Sequence, residues 1–199
     1  MKKQLLSLII VVLSAYSFSQ ETEKDVDENR NEGFFNITQF GYINLYEAKL
    51  ETYSSTNGNV VTDLPLDNAS AYFLQTINGY FIDSFFSVGL GVGLDGYHNP
   101  NFNTLPVFLD LRLYLSDDMS SPYVFMDIGT LVKFEGNKNN GALFNIGLGY
   151  KISLNKKRLM IITDLSYNYK EISNDGLSLR NSHSWTQLRG TALTLGIIF

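Results

Sequence analysis

The sequence predicts an all-β fold, an eight-stranded antiparallel up-and-down transmembrane β-barrel. Three observations carry that prediction. Segments of about 10 to 13 residues alternate in polarity, as strands of a membrane barrel do. After residue 16 no apolar run approaches the roughly 20 residues that a spanning helix needs. The connections between the segments alternate between longer polar and shorter ones, as in an up-and-down barrel with unlike ends.

The N-terminus reads as an address. Met1-Lys2-Lys3 is a short positive region, and Leu5 to Tyr16 is an apolar stretch of signal-peptide length. Ser17-Phe18-Ser19 places small residues at −3 and −1 of a cleavage site, so residues 1–19 are expected to be removed by Sec-type export. Residues 20–33 are mostly polar and acidic without periodicity, and read as a disordered leader. The barrel is expected over residues 34–199.

The expected strands are 34–46, 70–82, 85–96, 104–115, 123–134, 142–153, 158–170 and 188–199. The first two alternate poorly, with Gln39 and Gln75 on the face that would be apolar, so a bulge or register change is expected there. In the third, Phe86, Val88, Leu90, Val92 and Leu94 oppose Ser87, three glycines and Asp95. The fourth is clearest: six aliphatic residues from Leu105 to Leu115 lie opposite Asp110, Arg112 and Tyr114. The fifth sets Val124, Met126, Ile128, Val132 and Phe134 against Asp127, Gly129 and Lys133. In the sixth, Phe144, Ile146, Leu148, Tyr150 and Ile152 face away from Asn145, Gly147, Gly149 and Lys151. The seventh opposes Leu165, Tyr167 and Tyr169 to Asp164, Ser166, Asn168 and Lys170, and the last opposes Leu193, Leu195, Ile197 and Phe199 to small residues.

One face is thus large and aliphatic while the other is small or charged. A narrow closed barrel has little interior, so the small face belongs inside and the aliphatic face against lipid. Closure also removes the unpaired edges that hydrocarbon penalises. Tyr46, Tyr97, Tyr167 and Tyr169 would mark the outer interface, and Phe81, Phe86, Tyr150 and Phe199 the inner one. Loop 47–69 has its own alternation around Val60 and Leu64, which suggests a hairpin projecting beyond the membrane.

The closing strand TALTLGIIF, ending on Phe199, looks like the C-terminal signal of outer-membrane barrels. Together with GLGVGLDGY (89–97), LPVFLDLRLYL (105–115), PYVFMDIG (122–129) and LFNIGLGYKI (143–152), it resembles the small outer-membrane β-barrel domain family, porin-like and OmpA- or OmpX-like in architecture. The resemblance implies insertion into the outer membrane, among its lipid and lipopolysaccharide, by an assembly machinery that reads the last strand. It implies no activity.

Composition narrows the chemistry. A net charge of −5 and a pI near 5.0 leave no basic footprint for nucleic acid. Without cysteine there are no disulfides, thiolate metal sites or cysteine nucleophiles. The inner faces collect Asp95, Asp110, Asp127 and Asp164 with Arg112, Lys133, Lys151 and Lys170, signs balanced, which reads as a charge network plugging a narrow lumen. A narrow pore for small solutes is the alternative. His98 and His183 are the only histidines, and a metal site would have to pair them with Asp175 or Asp95; two loop histidines are more often simply solvated. His183-Ser184 invites comparison with lipid-A-modifying barrel hydrolases, whose histidine and serine are spaced differently. No catalytic residue, cofactor or metal ligand is therefore assigned, and the expected role is a non-enzymatic one in envelope integrity or surface contact.

Overall fold

Period-two alternation sorts successive side chains to opposite faces of a sheet, and here the sheet curls until its first and last strands meet. The computed structural model describes residues 31–54, 58–99, 101–132, 140–154, 159–173 and 182–199. The expected signal peptide and most of the leader lie outside these residues. The strands are β1 (Gly33–Ser54), β2 (Gly58–Asp63), β3 (Ser70–Phe81), β4 (Phe86–His98), β5 (Phe102–Tyr114), β6 (Ser121–Val132), β7 (Asn140–Ser153), β8 (Met160–Ser173) and β9 (Ser182–Ile198). The order is β2-β1-β3-β4-β5-β6-β7-β8-β9 with β1 also paired to β9, so eight strands close a barrel and β2 is an arm on β1. Every pairing is antiparallel.

Closure reaches the last residue. The Phe199 amide donates to the Asn36 carbonyl at 3.0 Å, and the Asn36 amide donates back to Phe199 at 2.8 Å. Two features interrupt the ladders. The β1–β9 register shifts between Leu45 and Glu47, which is the irregularity expected of the first strand, although β1 and β3 pair without a break. Between β4 and β5 the pairing skips Gly93 and Leu94, opposite Leu105 and Pro106, where proline has no N–H to give.

Above the shift, β1 runs on to Ser54, paired on one side with β9 and on the other with β2. Both β1 and β9 are therefore longer than the expected 34–46 and 188–199. The continuation of β1 keeps a short alternation past the expected strand end, Glu47, Lys49 and Glu51 against Ala48, Leu50 and Thr52, whereas β9 adds the mostly polar 182–187. The hairpin expected within 47–69 is present as the β1–β2 pairing, Lys49↔Asp63 through Ser54↔Gly58.

The outer face is aliphatic as expected, with Leu74, Leu90, Leu109, Ile128, Leu148, Leu165, Leu193 and Leu195 all exposed. The inner face departs from expectation. On β1 and β3 the large apolar Phe35, Ile37, Ile43, Phe73, Ile77 and Phe81 point inward, and Gln39 and Gln75 lie inside with them. The two glutamines satisfy each other, Gln39 Nε2 donating to Gln75 Oε1 at 3.0 Å. Phe81 and Tyr97, expected at the interfaces, are instead buried in the lumen.

Glycine makes room for these rings. Phe35 lies directly across from Gly79, Phe73 from Gly41, Phe108 from Gly91, Tyr123 from Gly149 and Phe125 from Gly147. At each of these glycines a Cβ would collide with the facing ring. Gly41→Leu is expected to cost about 1–3 kcal/mol by overpacking, and Phe73→Ala about 3–5 kcal/mol by cavity formation. Because the two positions share one space, the double variant should cost less than the sum, measured by urea unfolding in detergent micelles. Strict additivity would show that the space is not shared.

Candidate functional site in the barrel lumen

Of the eight charged residues assigned to the inner face, Lys133 lies outside the described residues. The other seven are all buried, none more than 2% exposed. They fall into three groups along the lumen.

Toward the end away from the chain termini, Lys170 on β8 donates through Nζ to Asp95 Oδ2 on β4 at 2.7 Å. These strands stand half a barrel apart in the sheet order, so the ion pair spans the lumen. Thr104 Oγ donates to the same carboxylate oxygen at 2.6 Å, and the ammonium lies 5.3 Å from the Tyr97 ring centre, itself stacked on Phe102.

In the middle, cross-strand neighbours form a polar row: Asp110, Asp127, Asn145 and Asn168 on β5 to β8. Asn168 donates to Asn145 at 2.6 Å, and Asn145 donates to Asp127 at 3.0 Å. Next to the row, Arg112 Nε donates to both oxygens of Asp110, at 2.9 and 3.1 Å, and Nη1 donates to the Tyr123 hydroxyl at 3.0 Å. Tyr123 donates in turn to Asp164 on β8. The guanidinium sits 5.1 Å from the Tyr123 ring centre and 5.4 Å from that of Phe125, so two ring faces supplement its one carboxylate.

At the terminal end, Lys151 has rings for company. Its ammonium lies 4.8 Å from the centre of Tyr114 and 5.7 Å from that of Phe81, and it donates to the side-chain oxygen of Asn31. Asn31 is buried and also donates to the Ser84 carbonyl at 2.8 Å, so this residue, just before β1, sits at the terminal end of the lumen. Nothing in the polar leader composition singled out Asn31.

The opposite mouth is covered by residues 64–69. Leu64 and Leu66 pack against the lumen cluster, and this stretch is tied by Leu64 N–H to the Ala48 carbonyl at 2.8 Å and by Asn99 to the Asp67 carbonyl at 2.7 Å. Beyond the register shift, Glu47 accepts from Lys49 and, at 2.9 Å, from Arg189. These hydrogen bonds, that of Lys49 foremost, hold the Glu47 carboxyl below the usual carboxylate range. Sequence reasoning passed over Glu47 and Lys49, which lie beyond the expected first strand, and over Arg189, which falls at the start of the expected last strand before its alternation begins.

The histidines are set on different strands, His98 at the end of β4 and His183 on β9 opposite Tyr53. Asp175 lies outside the described residues. Among the described residues no cluster of three or more histidines or acids could hold a metal ion.

The lumen is therefore filled by crossing side chains. Lys170→Met would leave Asp95 buried without its cation, at a cost of about 3–5 kcal/mol. Adding Asp95→Asn should recover part of that loss in the same urea titration. A silent Lys170→Met would mean that the bridge contributes nothing to holding the barrel.

No family model matches the chain, and no curated protein matches it. Solved structures do. The outer membrane protein OprG from Pseudomonas aeruginosa is similar at a TM-score of 0.55 and 12% identity, over 86% of this chain and 97% of OprG. The outer membrane protein AlkL, solved in lipid bilayers, is similar at a TM-score of 0.50 and 16% identity, over 90% of this chain and 95% of AlkL. At such identities the likeness is one of fold, and it takes in nearly the whole of each molecule. The chain has the fold of the small eight-stranded outer-membrane barrels.

Proposed function

We propose that this protein is an integral outer-membrane barrel without enzymatic activity, exported with a cleaved signal peptide, that acts in surface contact or envelope integrity through the part standing outside the membrane. The observation that carries the reading is the two-part outer surface. From Leu105 to Leu115, β5 shows lipid-compatible side chains on every outward position. Eleven residues span roughly 35 Å along a strand, or about 27 Å at a tilt of about 40°, close to the apolar height of such barrels. Phe34, Tyr80, Phe85, Tyr150 and Phe199 border the band at the terminal end, with Tyr42, Tyr46, Tyr72 and Tyr167 at the other.

Beyond the second border, β1, β2, β8 and β9 continue as a sheet rich in polar residues, with Val60 and Val61 exposed on β2. Such a platform suits contact with molecules outside the cell. The contents of the lumen support contact over conduction. The Asp95–Lys170 bridge, the Arg112 network and Asn31 stand at three levels along the only axial route. A narrow pore would have to pass all three.

Unboiled protein from outer-membrane fractions should migrate differently from boiled protein on a gel, and its N-terminus should read from about Gln20. A soluble, boiling-insensitive protein would overturn the membrane placement. Deleting residues 51–62, the tip of the β1–β2 arm, should preserve heat-modifiable migration while changing adhesion or envelope permeability; if neither property changes, the contact role fails. Planar-bilayer recordings should show no discrete conductance, and steady unitary currents would favour the pore.

A further inference from the structure

Among the described residues, the arm strand β2 pairs only with β1, and its other edge is open. It ends the sheet order, and all six of its residues, Gly58–Asp63, are exposed. Exposed edges are normally blunted by charge, proline or a bulge, because unpaired N–H and C=O groups recruit another strand. This edge carries one charge, Asp63, no proline, and two β-branched residues at its centre, Val60 and Val61, each about half exposed.

We infer that β2 pairs with β2 of a second copy held in a facing membrane, so that the protein joins apposed outer membranes by homotypic strand addition. The inference rests on the membrane placement proposed above and names the partner of that contact. The occupant follows from self-complementarity. An antiparallel pair of identical strands has a two-fold axis perpendicular to the sheet, which requires paired positions of the same facing. With the axis at Val61, that valine meets its own copy, Val60 meets Thr62, and Asn59 meets Asp63. Apolar and β-branched side chains then face each other, and no like charges are opposed. One amide hydrogen of Asn59 already goes to Glu51 at 2.5 Å, which leaves the other for the carboxylate of Asp63.

The same symmetry decides where the second copy sits. β2 ladders onto β1, and β1 is one continuous strand from inside the barrel to the tip of the arm. β2 therefore runs across the membrane plane rather than along it. An axis perpendicular to its sheet lies close to that plane, and rotation about it inverts the second barrel. Two barrels in one membrane are related by an axis along the membrane normal, which makes their β2 strands run the same way and forbids the antiparallel ladder.

The test uses full-length protein inserted into two populations of phosphatidylcholine vesicles carrying different dyes, with two-colour clusters counted. Wild-type vesicles should cluster. Val61→Lys on both populations should reduce clustering to that of protein-free vesicles, because the two lysines would stand opposite each other, and Val61→Glu on both should do the same. Mixing Val61→Lys vesicles with Val61→Glu vesicles should restore clustering to the wild-type level. The inference is overturned if wild-type vesicles stay apart, if either variant still clusters alone, or if the mixture does not recover, which would assign β2 to a partner other than itself. Position 61 is exposed, so heat-modifiable migration should survive both substitutions. Wild-type protein without that migration would sink the membrane placement and this inference with it, whereas inserted protein that fails to cluster sinks the inference alone.

Discussion

Interior volume is the constraint on which the rest of this structure depends. An eight-stranded barrel encloses just enough room for its own side chains, so its largest inward rings are accommodated where a glycine lies across the strand. The pairing of lumen rings with glycines is how the sequence meets that condition: Phe73 over Gly41, Phe108 over Gly91, Tyr123 over Gly149. The same rings then provide faces on which buried cations rest. Arg112 and Lys151 are tolerable inside because Tyr123, Phe125, Tyr114 and Phe81 surround them.

Ion pairing alone would not account for this interior. Arg112 has one carboxylate in contact, Asp110, and reaches Asp164 only through the Tyr123 hydroxyl. Lys151 meets an amide oxygen and two rings. Removing charges from water is costly unless each is paired or hydrogen-bonded. Here the compensation is spread over tyrosines, asparagines and a threonine as much as over opposite charges. The balance of signs visible in the sequence is thus only part of what makes these residues compatible with burial.

Most of the barrel was legible because β4 to β9 set an aliphatic outer face against an inner face that is small or charged at many positions, with rings such as Phe108, Tyr123 and Phe125 among them. Where both faces are apolar, as on β1 and β3, alternation loses contrast, and Gln39 and Gln75 marked the inner face rather than violating the outer one. Tyr97 and Phe81 were misplaced for a related reason: an aromatic near a strand end suits an interface or a glycine-lined lumen equally well. The continuations of β1 and β9 are mostly polar, and the short alternation from Glu47 to Thr52 lies in a stretch whose composition reads as a loop. Of the lumen network, seven charged residues could be read from the alternation, whereas Asn31, Thr104 and Tyr123 could not, nor could the partners, since register decides that Asp95 on β4 faces Lys170 on β8.

The hydrogen bonds between Asn36 and Phe199 bear on how the molecule forms. They join residues near the two ends of the barrel, so the ring they complete encloses all eight strands. Contacts of such sequence separation carry the greatest loop-closure entropy and form slowly. Until they form, β1 and β9 each present an unpaired edge, and in hydrocarbon such an edge is severely unfavourable. Of all the pairings in this fold, the one that closes the ring therefore carries the largest loop-closure cost. A partly paired sheet has no stable place in a bilayer, so for a barrel placed in one, insertion and closure are coupled.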